Sequence, residues 1–299
     1  MALGSPARIR PQRQYRGRSS VSLTIWVTVE RTNSELKVQT CCIFKIQQMN
    51  RQPLPKKLAK EPLIDVVFEV RFSAIGAGST VLPGLLFSKL PNVGNIEPLP
   101  ALQLPQQIRD SDPQFQFAPL NRIWWGNFAL LVGDKTLAVG CKMPYPGWDS
   151  FRSAIVQVLS LLKETNFFTS IDRYSLKYVD FFDTGNDHSL ALTHFDLDLR
   201  IGKHKLAAEN TVLRIEIPRD SFLHAIQMVT EANIQQEGTQ VRRGAILDVD
   251  TLRLHREDDM NKFVAELPEA LERIHLANKE VFFECLSVEG LKRLEPQYE

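Results

Sequence analysis

Asp248 and Asp250 stand two apart in the segment LDVD, with His255 five residues further on. On a strand that spacing sends both carboxylates to one face, about 7 Å apart. Two carboxylates with an imidazole, or with Asp172, are the donor types that hold a divalent cation and activate water. The same spacing also describes a plain strand, its Asp residues facing solvent and Leu247 and Val249 facing the core. A second acidic stretch comprises Asp180, Asp183, Asp187 and His188. It can supply a base and an orienting partner, yet it surrounds Gly185-Asn186, and turns favour Asp for backbone hydrogen bonding alone. His275 falls near an apolar helical stripe, four residues after Leu271, where a core histidine bonded to a carbonyl is the ordinary outcome.

Aromatic residues offer a different chemistry. Trp124, Trp125, Tyr145 and Trp148 lie within 25 residues and can stack nucleic-acid bases. Adjacent Trp124 and Trp125 point to opposite faces of a strand, however, so one of them belongs to the core. Arg242 and Arg243 add basic character to the second half. Tyr178, Asp180, Arg243 and His275 join Trp124 and Trp125 as binding candidates, and Asp248, Asp250 and His255 are the catalytic ones.

Several chemistries lack their motifs. There is no GxxxxGK[ST] and no GxGxxG, so ATP or NAD is not indicated and no cofactor is expected. GxSxG and HExxH are absent. The body's two cysteines, Cys141 and Cys285, have no sequence-local group to activate them, and no Cys/His cluster has zinc spacing. Two scattered cysteines fit a reducing, cytoplasmic setting.

The elements that must position these residues read as an α+β chain. In 62–73, Val66, Phe68, Val70 and Phe72 alternate with Glu69 and Arg71, the pattern of a half-buried strand. A short helix is expected over 82–90, then a Pro-studded loop to 113, then short strands to 143. Trp148, Phe151, Ala154, Ile155, Val158, Leu159 and Leu162 recur at helical spacing. The second half repeats this order: a long strand over 170–183, a helix over 189–200, three strands, and a helix from 259 to 286 kinked or broken at Pro268. The expectation is two tandem β-α-(β)n-α units, 49–168 and 169–299. They would form one curved, mainly antiparallel sheet with helices on one face, saddle or helix-grip like.

Charge separates the first 48 residues from this body. They hold eight Lys/Arg against two Glu, while the remainder carries 28 against 33. The body is thus mildly acidic and offers no general attraction for a phosphate backbone. The head reads as a basic extension, disordered or a misassigned start at which Met49 is the true opening. Its apolar run Val21–Val29 lacks a signal-peptide cleavage site and is too short for a membrane span.

The strand KEPLIDVVFEVRF, the PYPGWDSF turn, IDRYSLKYVDFFD, GAILDVD and the ending HLANKEVFFECLSVEGL together resemble a sporadically distributed prokaryotic family of unknown function, in matching order over residues 54 to about 294. Departures are Asp65 for Glu, Lys177 for Arg, Asp180 for Asn and Ser287 for Thr. The resemblance implies a cytosolic accessory of mobile or defence loci, and no site residues. The first functional expectation is therefore a non-enzymatic binding protein, antitoxin-like, with a protein partner on the open sheet face; oligomerisation stays open. The alternatives are a metal-dependent phosphoryl hydrolase and a nucleic-acid-binding protein.

Overall fold

The structure is a computed structural model of the 299-residue chain, and it describes residues 25–32, 35–42, 53–185, 187–206, 209–235 and 241–298. The chain divides into two compact units, Met1–Pro53 and Leu54–Glu299. The first contains an antiparallel hairpin of β1 (Ile25–Thr32) and β2 (Glu35–Cys42). Most of the head expected to be a dispensable extension lies outside the described residues.

The second unit opens with β3 (Lys57–Leu58) and β4 (Leu63–Ala74). Val66, Phe68, Val70 and Phe72 of β4 are at most 1% exposed, so period-two alternation does set the buried face. Helix α1 (Gly78–Lys89) begins four residues before the expected 82–90. Gly78 permits this early start: its N–H donates to the Asp134 carbonyl at 2.8 Å, and a Cβ there would strike backbone of the Gly133-Asp134 turn.

The Pro-studded segment is more ordered than a loop. It holds β5 (Val93–Pro98), a short 3-10 turn at Pro100–Gln103, and α2 (Gln106–Ser111). Tertiary pairing supplies what local pattern lacks, because β5 joins the sheet as an edge strand and its prolines cap the ends. Arg109 of α2 also grips Asp134 through Nε and Nη2 at 3.1 and 3.0 Å.

Next come β6 (Pro119–Trp125), β7 (Phe128–Gly133) and β8 (Thr136–Cys141), then helix α3 (Trp148–Lys163), then β9 (Phe168–Asp183). The helix expected over 189–200 does not form. Two single 3-10 turns, His188–Leu190 and Leu192–His194, and the tiny hairpin β10 (Arg200–Ile201) and β11 (His204–Lys205) replace it. Long-range bonds outweigh local helix formation there, with the Asp196 N–H on the Cys285 carbonyl at 2.9 Å and Phe195 bridging Leu286.

Strands β12 (Val212–Arg219), β13 (Phe222–Ile234) and β14 (Arg242–Glu257) follow, then α4 (Met260–Cys285). Asp259 caps α4 by accepting the Asn261 and Lys262 N–H groups. The helix runs through Pro268 as one element rather than dividing there. Helix α5 (Val288–Arg293) and β15 (Pro296–Gln297), paired with β3, close the chain.

Nine strands form one sheet in the order β12-β13-β14-β9-β4-β8-β7-β6-β5, every neighbouring pair antiparallel. The fold is thus α+β, its main sheet antiparallel. Outward from the central pair, β4 is flanked by β8, β7 and β6, and β9 by β14, β13 and β12. Among the described residues, helix α1 has no α-helical counterpart between β9 and β12.

Helices α1, α3 and α4 bury Leu82, Leu86, Phe151, Ile155, Leu267 and Leu271 together with the apolar face of β4. Each such side chain contributes about 1.5–3 kcal/mol on burial. A second cluster joins Phe182 and Phe195 to Leu247, Val249, Val281 and Phe282. Asn278 of α4 links helix to sheet: its Nδ2 donates to the carbonyls of Leu176 and Val249 at 3.1 and 2.9 Å, and to Thr251 Oγ1 at 3.0 Å.

Candidate functional site: an aromatic cavity with a buried acid

The alternation of β9 that buries Leu176 and Phe182 under α4 carries Tyr178 and Asp180 to the same side. Asp180 is only 5% exposed, and among the described residues nothing hydrogen-bonds to its carboxyl. Burial, and secondarily the charge of Asp248 on the adjoining strand, push its pKa up to about 8. At neutral pH it is therefore mostly a neutral acid with an unused O–H donor and an unused carbonyl acceptor.

Asp180 lines a cavity of about 500 Å³, within the size range of small-molecule sites. The segment before α3 builds one wall. Gly147 takes φ +92°, a backbone state that favours glycine, and it sets Tyr145 and Trp148 on the cavity. Helix α4 builds the facing wall with His275, Asn278, Lys279 and Phe282. Lys56, Lys57 and Glu61 of the lead into β4 complete the mouth.

A polar chain crosses the cavity. Tyr145 Oη lies 3.4 Å from Tyr178 Oη, which lies 3.2 Å from His275 Nδ1. The His275 ring stacks on Trp148 with centroids 4.0 Å apart and planes 9° from parallel, and Trp148 Nε1 donates to Glu272 at 3.1 Å. Burial, helped by the Lys279 charge, lowers the His275 pKa to about 4. Burial likewise raises both tyrosines. The chain is consequently uncharged at neutral pH, with Tyr178 able to donate to a neutral imidazole and accept from Tyr145. Lys279 is half-buried and its pKa is lowered by burial alone.

Of the residues singled out in the sequence, Tyr178, Asp180 and His275 are brought together here. The others are not. Asp248 and Asp250 share the opposite face of the sheet, as their spacing requires, with Leu247 and Val249 fully buried behind them. Asp248 is engaged by Lys177 at 2.7 Å. Burial raises the pKa of Asp250, opposed by the charges of Arg173 and Lys177. His255 belongs to the same strand, its side chain outside those described. Among the described residues no three His, Cys, Asp or Glu side chains come together as a metal-ligand group.

Trp124 and Trp125 do part to opposite sides. Trp125 packs against the core, while Trp124 donates to Glu97 at 2.9 Å and carries Lys142 over its ring at 4.5 Å. Arg243 is exposed on β14, and its carbonyl accepts the Thr184 N–H at 3.1 Å. Asp183 pairs with Arg242 at 2.8 Å, which draws its pKa down. Burial lifts the thiols of Cys141 and Cys285 to about 12 and about 11, so neither is an activated nucleophile at neutral pH.

Lys279 and Asn278 were not legible as site residues. Both fall among charged or polar positions on a helix, and only the contact of α4 with β9 and β14 reveals their surroundings. No helix among the described residues is long and apolar enough to cross a membrane. No protein-family model and no curated protein sequence matches this chain.

Proposed function

We propose that residues 54–299 act as a non-enzymatic binding protein whose ligand enters the cavity between β9, α4 and the turn before α3. The observation that carries this reading is the cavity of about 500 Å³ with the Asp180 carboxyl in its lining, largely buried yet hydrogen-bonded to no other described residue. Among the described residues the fully buried unpaired side-chain atoms lie elsewhere, at Arg173, Thr184, His194 and Asp250, so the Asp180 carboxyl is open to the cavity, where a ligand can pair with it. The opposite sheet face offers less to a partner, since Glu69, Arg71 and Arg173 engage one another, as do Lys177 and Asp248. The mirrored strand order about β4 and β9 supports descent from one duplicated β-α-(β)n-α plan and an arched sheet.

One observation favours a second reading. A carboxyl with a pKa of about 8 is the kind of group that serves as a general acid. The metal-dependent hydrolase has weaker support, because Asp248 is already matched by Lys177.

The test is a fragment screen by thermal shift and ligand-observed NMR on the full chain, repeated with Leu63→Trp, which fills the cavity from β4. Binding fragments that lose their signal in the variant support the reading. Fragments indifferent to the variant, or none binding at all, would refute it. Turnover of a bound fragment, abolished by Asp180→Asn, would favour the acid catalyst instead.

A further inference from the structure

We propose that the ligand is a small planar aromatic anion bearing an N–H group, its N–H edge set against Asp180 and its anionic end against Lys279, Lys56 and Lys57. This rests on the cavity being the binding site. Exposure differs among these groups: Asp180 is 5% exposed, Lys279 half-buried, and Lys56 and Lys57 exposed. The lining thus combines a largely buried acid with three lysines, two of them exposed, and Glu61 is the only other acidic residue among the described lining residues. None of the three lysines is in an ion pair among the described residues.

The cavity is also aromatic. Tyr145, Trp148 and Tyr178 line it, and aromatic lining suits a flat ligand and supplies orientation without charge. A purely cationic ligand would meet Asp180 but also three like charges. An anion without an N–H could accept the Asp180 O–H but would leave the carbonyl oxygen of that carboxyl with no donor. A molecule with a donor at one end and a negative charge at the other satisfies both, and charge-assisted hydrogen bonds are the stronger kind.

Two sources share that chemistry, nucleoside monophosphates and indole carboxylates, and calorimetry on the full chain separates them. The first arm titrates AMP, GMP, CMP and UMP, with adenosine and ribose 5-phosphate as half-molecules. The second titrates indole-3-acetate and indole-3-propionate, with indole and phenylacetate as halves. In one arm the whole molecule should bind about tenfold or more tighter than either half. Lys279→Met should remove about tenfold of that affinity for the whole molecule and leave the anion-free half unchanged. Asp180→Leu should weaken the whole molecule and the anion-free half alike.

Halves that equal the whole in both arms, or anion binding indifferent to Lys279→Met, would overturn the proposal. If neutral or cationic aromatics bind in a way that Leu63→Trp blocks, while no anionic probe gains, the charge assignment fails and the cavity reading stands. If no probe of any charge binds, both fail together.

Discussion

Replacing Asp180 by asparagine should make the protein more stable, and increasingly so as pH rises. In the folded chain the carboxyl holds its proton up to about pH 8, whereas its ordinary value is 3.8. Between those values the native state binds a proton that the unfolded chain has released, so stability falls as pH rises through the window. From 3.8 to 7 is roughly three pH units, which at about 1.36 kcal/mol each is a cost of about 4 kcal/mol. Asparagine cannot ionise and keeps nearly the same shape, so Asp180→Asn should gain little near pH 4 and up to about 4 kcal/mol at pH 7. For a domain of this size that is a rise of about 8–16 °C in Tm. The groups around Asp180 set no competing slope of this sign near neutrality: Tyr145 and Tyr178 are raised and His275 is held near 4. Urea unfolding of both proteins from pH 5 to 9 measures the effect. Parallel stability profiles for wild type and variant would refute the reasoning, and so would a variant less stable than wild type at pH 8.

Asn278→Ala removes the donor shared by the Leu176 and Val249 carbonyls and should cost about 2–4 kcal/mol in urea unfolding. Gly244→Ala should cost about 2–3 kcal/mol, since its methyl group would strike the Phe182 carbonyl within the strand ladder; thermal melting checks it. Lys177→Met breaks a partly exposed ion pair with Asp248 and should cost no more than about 1 kcal/mol, a loss that shrinks further in 1 M salt. Gly147→Ala forces a non-glycine residue to φ +92° and should lower Tm by a few degrees while weakening any cavity ligand, because Tyr145 and Trp148 flank that residue.

Regular periodicity made the strongly patterned elements readable. Alternation in β4 predicted its buried face residue by residue, and the stripe from Phe151 to Leu162 predicted α3, because one face of each element meets the core. Reading failed where distant pairing decides the local state. The 91–113 segment gained β5 because β6 was there to pair with it, and 189–200 lost its helix to bonds with the end of α4. Pro268 predicts a kink or a break, and the break does not occur: Phe263, Leu267, Leu271 and Ile274 hold α4 to one core across it. Tyr178, Asp180 and His275 were visible one at a time. Their meeting depends on α4 crossing β9, which no local pattern encodes.

Asp180 shows how a site can arise from the rule that builds the core. The alternation of β9 is satisfied at Tyr174, Leu176 and Phe182 by apolar or amphipathic side chains, and then broken by one carboxyl on the same side. Were that position only structural, a leucine would extend the second cluster of Phe182 and Val249, and an asparagine would avoid the titration cost. Instead the strand places an ionisable group where burial, with the charge of Asp248 nearby, penalises its ionised form, beside a cavity in which Tyr145, Tyr178 and His275 are already linked to one another. Local departures from the folding pattern that lower stability concentrate where a binding partner offsets them. A ligand N–H would do so here by giving the carboxyl a donor, which favours its ionised form and lowers its pKa on binding. Proton release during titration, read from calorimetry in buffers of different ionisation enthalpy at pH 7, should therefore approach one per ligand bound. Binding through the cavity without that release would show that Asp180 is a bystander to the ligand.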